Sequence, residues 1–220
     1  MTILELKQGI FKDNEVTADG IRSELKGKKK LMINVMSSPG SGKTTTLVRT
    51  IEHLKDDVRI GVMECDIDGS VDCETILNAG GKAVQLHTGG MCHMDAKMTK
   101  QGLDALGTDN VDLLFIENVG NLVCPAEYDT GAHFSITILS VPEGDDKPAK
   151  YPLVYTVSDV VLINKIDALS VFDFDVDLCK ERIHKLNPKA EIFLISSKND
   201  EGFEAWTDYL KRRLQEQGVL

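Results

Sequence analysis

The sequence predicts an α/β fold with a mostly parallel central sheet flanked by helices. Short apolar runs alternate with longer amphipathic stretches, which is the signature of βαβ units. A glycine-rich turn joins the first apolar run to the helical stretch after it, as in folds that bind phosphate at a strand–helix junction. At 220 residues, 42% hydrophobic and 27% charged, the chain has material for one well-buried core.

The elements follow in order. Residues 1–30 read as an N-terminal helical segment, with Ile10, Val16, Ile21 and Leu25 as its apolar contacts, and residues 31–220 as a single globular domain. Within that domain, apolar runs predict strands at 31–36, 59–64, 83–86, 112–117, 135–141, 160–164 and 192–195. Amphipathic spacing predicts helices at 44–54, 71–79, 95–106, 176–186 and 203–217. The polar stretch from Glu143 to Pro152, with two prolines, reads as a long surface loop.

Composition narrows the function. A net charge of −10 argues against general nucleic-acid binding, which needs basic surface to neutralise phosphates. No apolar run approaches membrane-spanning length, and the first twenty or so residues lack a basic start followed by an apolar stretch, so a cytoplasmic protein is expected. The cysteines at 65, 73, 92, 124 and 179 are odd in number and show no paired spacing, which is poor evidence for disulfides.

The strongest motif is Ser37-Ser38-Pro39-Gly40-Ser41-Gly42-Lys43-Thr44, placed between a strand and a helix. Its glycines turn backbone N–H groups toward phosphate oxygens, Lys43 reaches the β and γ phosphates, and the Thr44 hydroxyl helps hold magnesium. Thr45 follows in the same first helical turn. Ser37 stands where the general pattern has glycine. Acids at strand ends would complete the magnesium and water site. Asp66 and Glu117 are the leading candidates, with Asp68 and Asp72 behind them.

A second motif, Asn164-Lys165-Ile166-Asp167, follows a buried strand well downstream. Its aspartate would accept from guanine N1–H and the exocyclic amino group, a donor pair that adenine lacks. The lysine stem would cover the base and the asparagine brace neighbouring loops. Ser196-Ser197-Lys198 resembles the Ser-Ala-Lys loop that offers a backbone contact to the guanine oxygen, with Ser197 in place of alanine. GTP is therefore expected over ATP, and GTP hydrolysis over phosphoryl transfer to a small molecule. Lys43, Asp66 and Glu117 are the catalytic candidates.

Cys92 and His93 adjoin in a glycine-rich loop, and Cys124 lies in the loop after Glu117. These soft and borderline donors suit zinc or nickel. Spacing alone leaves open the plainer reading of a buried thiol beside a surface histidine.

Four strings together carry a resemblance to a known family. They are the phosphate loop, His-Thr-Gly-Gly-Met-Cys-His-Met-Asp-Ala from His87, Ile-Glu-Asn-Val-Gly-Asn-Leu-Val-Cys-Pro from Ile116, and Glu-Gly-Asp-Asp-Lys-Pro-x-Lys-Tyr-Pro from Glu143. With Asn-Lys-Ile-Asp they resemble HypB, the nickel-inserting GTPase family of nickel–iron hydrogenase maturation, from about Leu31 to Lys198. The resemblance implies a P-loop domain of the SIMIBI type that dimerises with GTP. It assigns Cys92, His93 and Cys124 as ligands for nickel or zinc, and Thr44, Asp66 and Glu117 to magnesium. It also implies a HypA-like metallochaperone and a hydrogenase large-subunit precursor as partners. A urease-type accessory GTPase is the related alternative.

The chain departs from the family in places. Residues 1–30 contain neither cysteine nor histidine, so that stretch offers no tract for tight nickel storage. Glu64-Cys65-Asp66 differs from the family's Gly-Asp switch string, and Asp129-Thr130-Gly131-Ala132-His133 only partly matches Asp-Leu-Gly-Glu-His. Ligation needs deprotonated thiols and neutral imidazole, so metal affinity is expected to fall on acidification.

Overall fold

The computed structural model describes residues 6–66 and 71–220, with only the backbone of residues 6–11, 66, 71 and 72. Helix α1 spans Leu6–Gly27 and leads into strand β1, Leu31–Ser37. There follow α2 (Lys43–Leu54), β2 (Ile60–Asp66), α3 (Val71–Ala79), β3 (Lys82–His87), α4 (Ala96–Leu106) and β4 (Leu113–Glu117). The second half contains α5 (Cys124–Glu127), β5 (Phe134–Ser140), α6 (Lys147–Lys150), α7 (Pro152–Val157), β6 (Val160–Asn164), α8 (Val176–Leu186), β7 (Glu191–Leu194) and α9 (Phe203–Glu216).

Among the described residues, the strands form one sheet in the order β3-β2-β4-β1-β5-β6-β7, and every pairing is parallel. Parallel strands covered on both faces read as continuous apolar runs, and β1 is buried at every position. The pleat sorts its side chains. Leu31, Ile33 and Val35 join Leu47, Ile51, Ile76, Trp206 and Leu210 from α2, α3 and α9 on one face. On the other face Met32 packs with Ala18, Ile21 and Leu25 of α1 and Ala96 and Leu106 of α4. Met36 lies in a third cluster with Val154 and Tyr155 of α7 and Cys179 and Ile183 of α8. Burial pushes the Cys179 thiol up to about 12.

The N-terminal helix is therefore part of the sheet's cover. Its buried stripe is Ala18, Ile21 and Leu25, whereas Val16 is 68% exposed and contributes nothing to it. Ile10 lies among the residues whose side chains are outside the description.

The predicted loop at 143–152 is instead mostly helical. A 3-10 turn at Val141–Glu143 is followed by α6 and α7, whose first turns hold Pro148 and Pro152. Proline's fixed φ suits that position, where its missing N–H costs nothing. Local pairs Glu143–Lys147 and Asp146–Lys150, at 3.5 and 2.6 Å, support the turns, and Arg182 of α8 pairs with Asp145. These polar residues are held by one another, which their loop-like composition conceals.

No helix among the described residues is long and apolar enough to cross a membrane. All five cysteines are free.

Candidate functional site

The register of the sheet brings the polar ends of five strands to one edge. Val35 aligns with Glu117, Glu117 with Glu64, and Ser140 with Asn164. Crevices at the carboxyl ends of parallel strands are where such sheets bind ligands. Here a cleft of about 540 Å³ opens over β1, lined by Pro39, Gly40, Lys43, Thr44, Thr45, Glu64, Glu117 and Lys165 among others.

The turn from β1 into α2 depends on two left-handed glycines, Gly40 at φ +74° and Gly42 at φ +98°. A Cβ on Gly42 would lie 2.6 Å from Asn164 Nδ2, so position 42 also needs the absence of a side chain. Lys43 Nζ donates to Ser37 Oγ at 3.1 Å, which gives the serine standing in the glycine position a contact of its own. Thr44 Oγ1 donates to Glu117 Oε1 at 2.7 Å. A hydroxyl and a buried carboxylate at this spacing are hard oxygen donors of the type that suits magnesium.

Glu64 is a site residue that the sequence reading passed over. Strand β2 runs two residues beyond the predicted end at 64, so Glu64 lies inside it, buried, in register with Glu117 and lining the cleft. The available signal was a carboxylate within an otherwise apolar strand run. Asp66 ends β2, but its side chain and the whole of Asp68 lie outside the described residues, as does the side chain of Asp72. Burial pushes the neighbouring Cys65 thiol far up, so it stays neutral.

The second motif closes around one amide. Asn164 Nδ2 donates to Ser41 O at 2.9 Å, and Asn164 Oδ1 accepts from Lys165 N, Ser197 N and Ser197 Oγ at 2.8 to 3.1 Å. The Ser197 hydroxyl also meets Thr46 Oγ1 at 2.8 Å, and Arg49 Nε donates to Ser197 O at 3.1 Å. Lys165 takes a left-handed φ of +62° and donates from Nζ to Gly40 O at 2.7 Å. Ser196 Oγ donates to Asp167 Oδ1 at 2.6 Å, fixing that carboxylate. Lys198 follows on the same turn. The residues expected at the base and those expected at the phosphates are thus joined by direct bonds.

On the opposite flank, Cys92, His93 and Cys124 present their Sγ and ring nitrogen atoms within 4.8 Å of one another, all half-buried. Gly89 and Gly90, both at positive φ, turn the first loop, and Thr88 Oγ1 donates to Met91 O to close it. Cys124 opens α5 beside Pro125. The His93 ring stacks on Tyr128 at 3.8 Å between centroids. Burial lowers the His93 pKa, which favours the neutral ligating form, while Cys124 beside it raises that of Cys92. Exposed Met91 and Val123 flank the cluster.

The two sites share a segment, residues 118–123, which starts after Glu117 and ends before Cys124. Gly120 lies so close to Pro39 of the phosphate loop that an added Cβ would meet it at 3.0 Å, and Asn121 forms an antiparallel bridge with Ser37. Asn118, fully buried, accepts from Met94 N at 3.2 Å and donates to Asn34 Oδ1 of β1 at 3.0 Å.

Comparison with known proteins adds four findings. The profile described as CobW/HypB/UreG, nucleotide-binding domain matches residues 31–194. The hydrogenase maturation factor HypB of Escherichia coli is 41% identical over 95% of this chain and 72% of its own length. The crystal structure of HypB from Helicobacter pylori in complex with nickel superposes with a TM-score of 0.87 at 40% identity, covering 93% of this chain and 96% of that one. The GDP complex of the signal recognition particle 54 kDa protein from Aeropyrum pernix shares the fold alone, with a TM-score of 0.59 at 13% identity over 87% of this chain and 47% of that one.

Proposed function

The chain belongs to the HypB members of the CobW/HypB/UreG family, and on that premise we propose that it is a GTP-hydrolysing metallochaperone that couples its nucleotide state to nickel delivery during hydrogenase maturation. The observation that carries the coupling is the shared segment 118–123, which touches the phosphate loop through Gly120 and Asn121 and carries Cys124 at its end. A change in what the phosphate loop holds therefore has a direct mechanical path to one metal ligand.

In this reading Gly40, Ser41, Gly42, Lys43, Thr44 and Thr45 hold the phosphates, and Asn164, Lys165, Asp167 and the turn Ser196–Ser197–Lys198 hold guanine. Magnesium is held by Thr44 and Glu117, with Asp66 as a further acid, and supplies charge neutralisation for phosphoryl transfer. The protein's own part is positioning. Lys43 and the N–H groups of the loop stabilise charge on the transferred group, and the buried Glu64–Glu117 pair sets the polarity of the wall facing it. Cys92, His93 and Cys124 hold nickel or zinc as cargo, and three ligands leave a position open for transfer. The nickel in the Helicobacter pylori complex favours nickel. A GTP-bound homodimer, a HypA-like metallochaperone and a hydrogenase large-subunit precursor are the proposed partners.

Equilibrium nickel titration with and without a non-hydrolysable GTP analogue tests the coupling. The dissociation constant should change at least fivefold, the low end of typical couplings of about 5–150-fold. Identical affinities in both states would sink the proposal, and equal turnover of ATP and GTP would sink the GTPase half of it.

A further inference from the structure

The flanks of the two metal-bearing loops are bridged by a residue far from either in sequence. Asn14, on α1, accepts the Ala96 N–H at Oδ1 over 2.9 Å and donates from Nδ2 to Asp129 O over 2.8 Å. Ala96 begins α4 just after Cys92 and His93, and Asp129 follows α5, which begins at Cys124. The first N–H groups of a helix have no partner within it, so the Ala96 N–H needs one from outside. One amide satisfies it and holds the second loop at a fixed distance.

The same helix reinforces the contact. Arg22, two turns along, donates to both carboxylate oxygens of Asp129 at 3.0 and 2.6 Å and to Ala132 O at 2.8 Å. Between them Ala18 is fully buried against the cluster that includes Met94 and Ala96. Asp129 adjoins Tyr128, the ring stacked on His93. Helix α1 thus grips the C-terminal flank of one loop and the start of the element after the other.

We infer that α1 is a clamp on the metal site and that Asn14 is its positioning residue, setting the separation of the Cys92–His93 loop from Cys124. The inference rests on reading these three residues as the metal ligands. Asn14 touches neither metal nor nucleotide; it acts through the backbone of the two loops. Residues that orient metal ligands from outside the coordination sphere typically contribute about 10–100-fold in affinity.

The test uses the full chain titrated with nickel, and with cobalt(II) as a spectroscopic probe of ligand geometry. Asn14→Ala should weaken nickel binding about tenfold and shift the cobalt d–d envelope, with GTP-analogue affinity within about twofold of wild type. Asn14→Asp, which keeps an acceptor for the Ala96 N–H and loses the donor to Asp129, should fall between the two. Ile21→Val trims the packing of the same helix without touching the bridge. It should lower the melting temperature while leaving nickel affinity and the cobalt spectrum as in wild type. Wild-type affinity and spectrum in Asn14→Ala, or an equal loss in Ile21→Val, would overturn the clamp. Cys124→Ala is the separate control. Its loss of binding upholds the ligand assignment whatever Asn14 does, and its full retention would overturn that assignment and the clamp together.

Discussion

Asp167 sits where one hydrogen bond sets its orientation, Ser196 Oγ donating to Oδ1 at 2.6 Å, and in the proposed function its carboxylate meets the base. A carboxylate accepts from both the N1–H and the exocyclic amine of guanine, and each charge-assisted bond is worth roughly 1.5–3 kcal/mol. Asp167→Asn turns one acceptor into a donor aimed at another donor. GTP affinity should drop about 100-fold, the equivalent of about 3 kcal/mol. Xanthosine triphosphate, with a carbonyl in place of that amine, should gain in its place. Competition binding of the two nucleotides reads both effects, and an unchanged preference for GTP would remove Asp167 from the base site. Ser196→Ala leaves the carboxylate in place and should cost only about 1 kcal/mol, because it loses the orienting side-chain bond and keeps the backbone of the turn proposed to hold guanine.

Helix α1 shows what a single element adds. Its Arg22–Asp129 pair is partly exposed, with 30% and 38% of the two side chains accessible, so solvent screening discounts its strength. Arg22→Ala should destabilise the fold by roughly 1 kcal/mol, lowering the melting temperature by about 2–4 °C. Burial raises the Asp129 carboxyl, but hydrogen bonds from Arg22 and the Gly131 N–H outweigh it and hold the group below its ordinary value. A carboxyl depressed in the folded state stabilises fully above the unfolded value of about 3.9 and loses that contribution as pH falls through the folded one. The gap between wild type and Arg22→Ala in thermal melts should therefore be full at pH 7 and shrink below about pH 4. An equal gap at both would mean that the pair does not titrate with folding.

The same helix marks how far sequence reading reaches. Strands such as β1 and β6 were legible because burial on both faces leaves nearly continuous apolar runs, and α4 because Asp95 caps it, accepting from Met98 N at 2.7 Å. The phosphate loop was legible because glycine, lysine and threonine at fixed offsets answer one chemical need. What escaped notice takes its meaning from residues distant in the chain. Glu64 matters through its register with Glu117, and Asn14 through bonds to residues 82 and 115 positions away. Composition misled at 143–152, where charged residues that suggest a loop pair with each other at helical spacing.

Assembly is a property of the whole molecule, and its charge sets the first constraint. Two chains of net charge −10 repel, so a dimer needs a contact where that repulsion is offset. On the proposed metal-ligand reading, the Cys92–His93–Cys124 cluster offers such a place. Its three donors lie half-buried beside exposed Met91 and Val123, and a two-fold axis there would set two clusters face to face and cover both apolar side chains. A bound dication would also cancel part of the charge at the contact. Sedimentation of the 24.2 kDa chain should therefore give a species of twice that mass when nickel and a GTP analogue are both present. The dimer should strengthen as salt rises from about 0.01 to 0.15 M, because the screening length falls from about 30 to 8 Å and the repulsion with it. Val123→Glu should oppose assembly by adding a charge to the contact, while leaving the monomer folded, since the side chain is already 48% exposed. A chain that stays monomeric under all these conditions would place nickel release in a single molecule. The open coordination position would then have to be filled by the receiving protein alone.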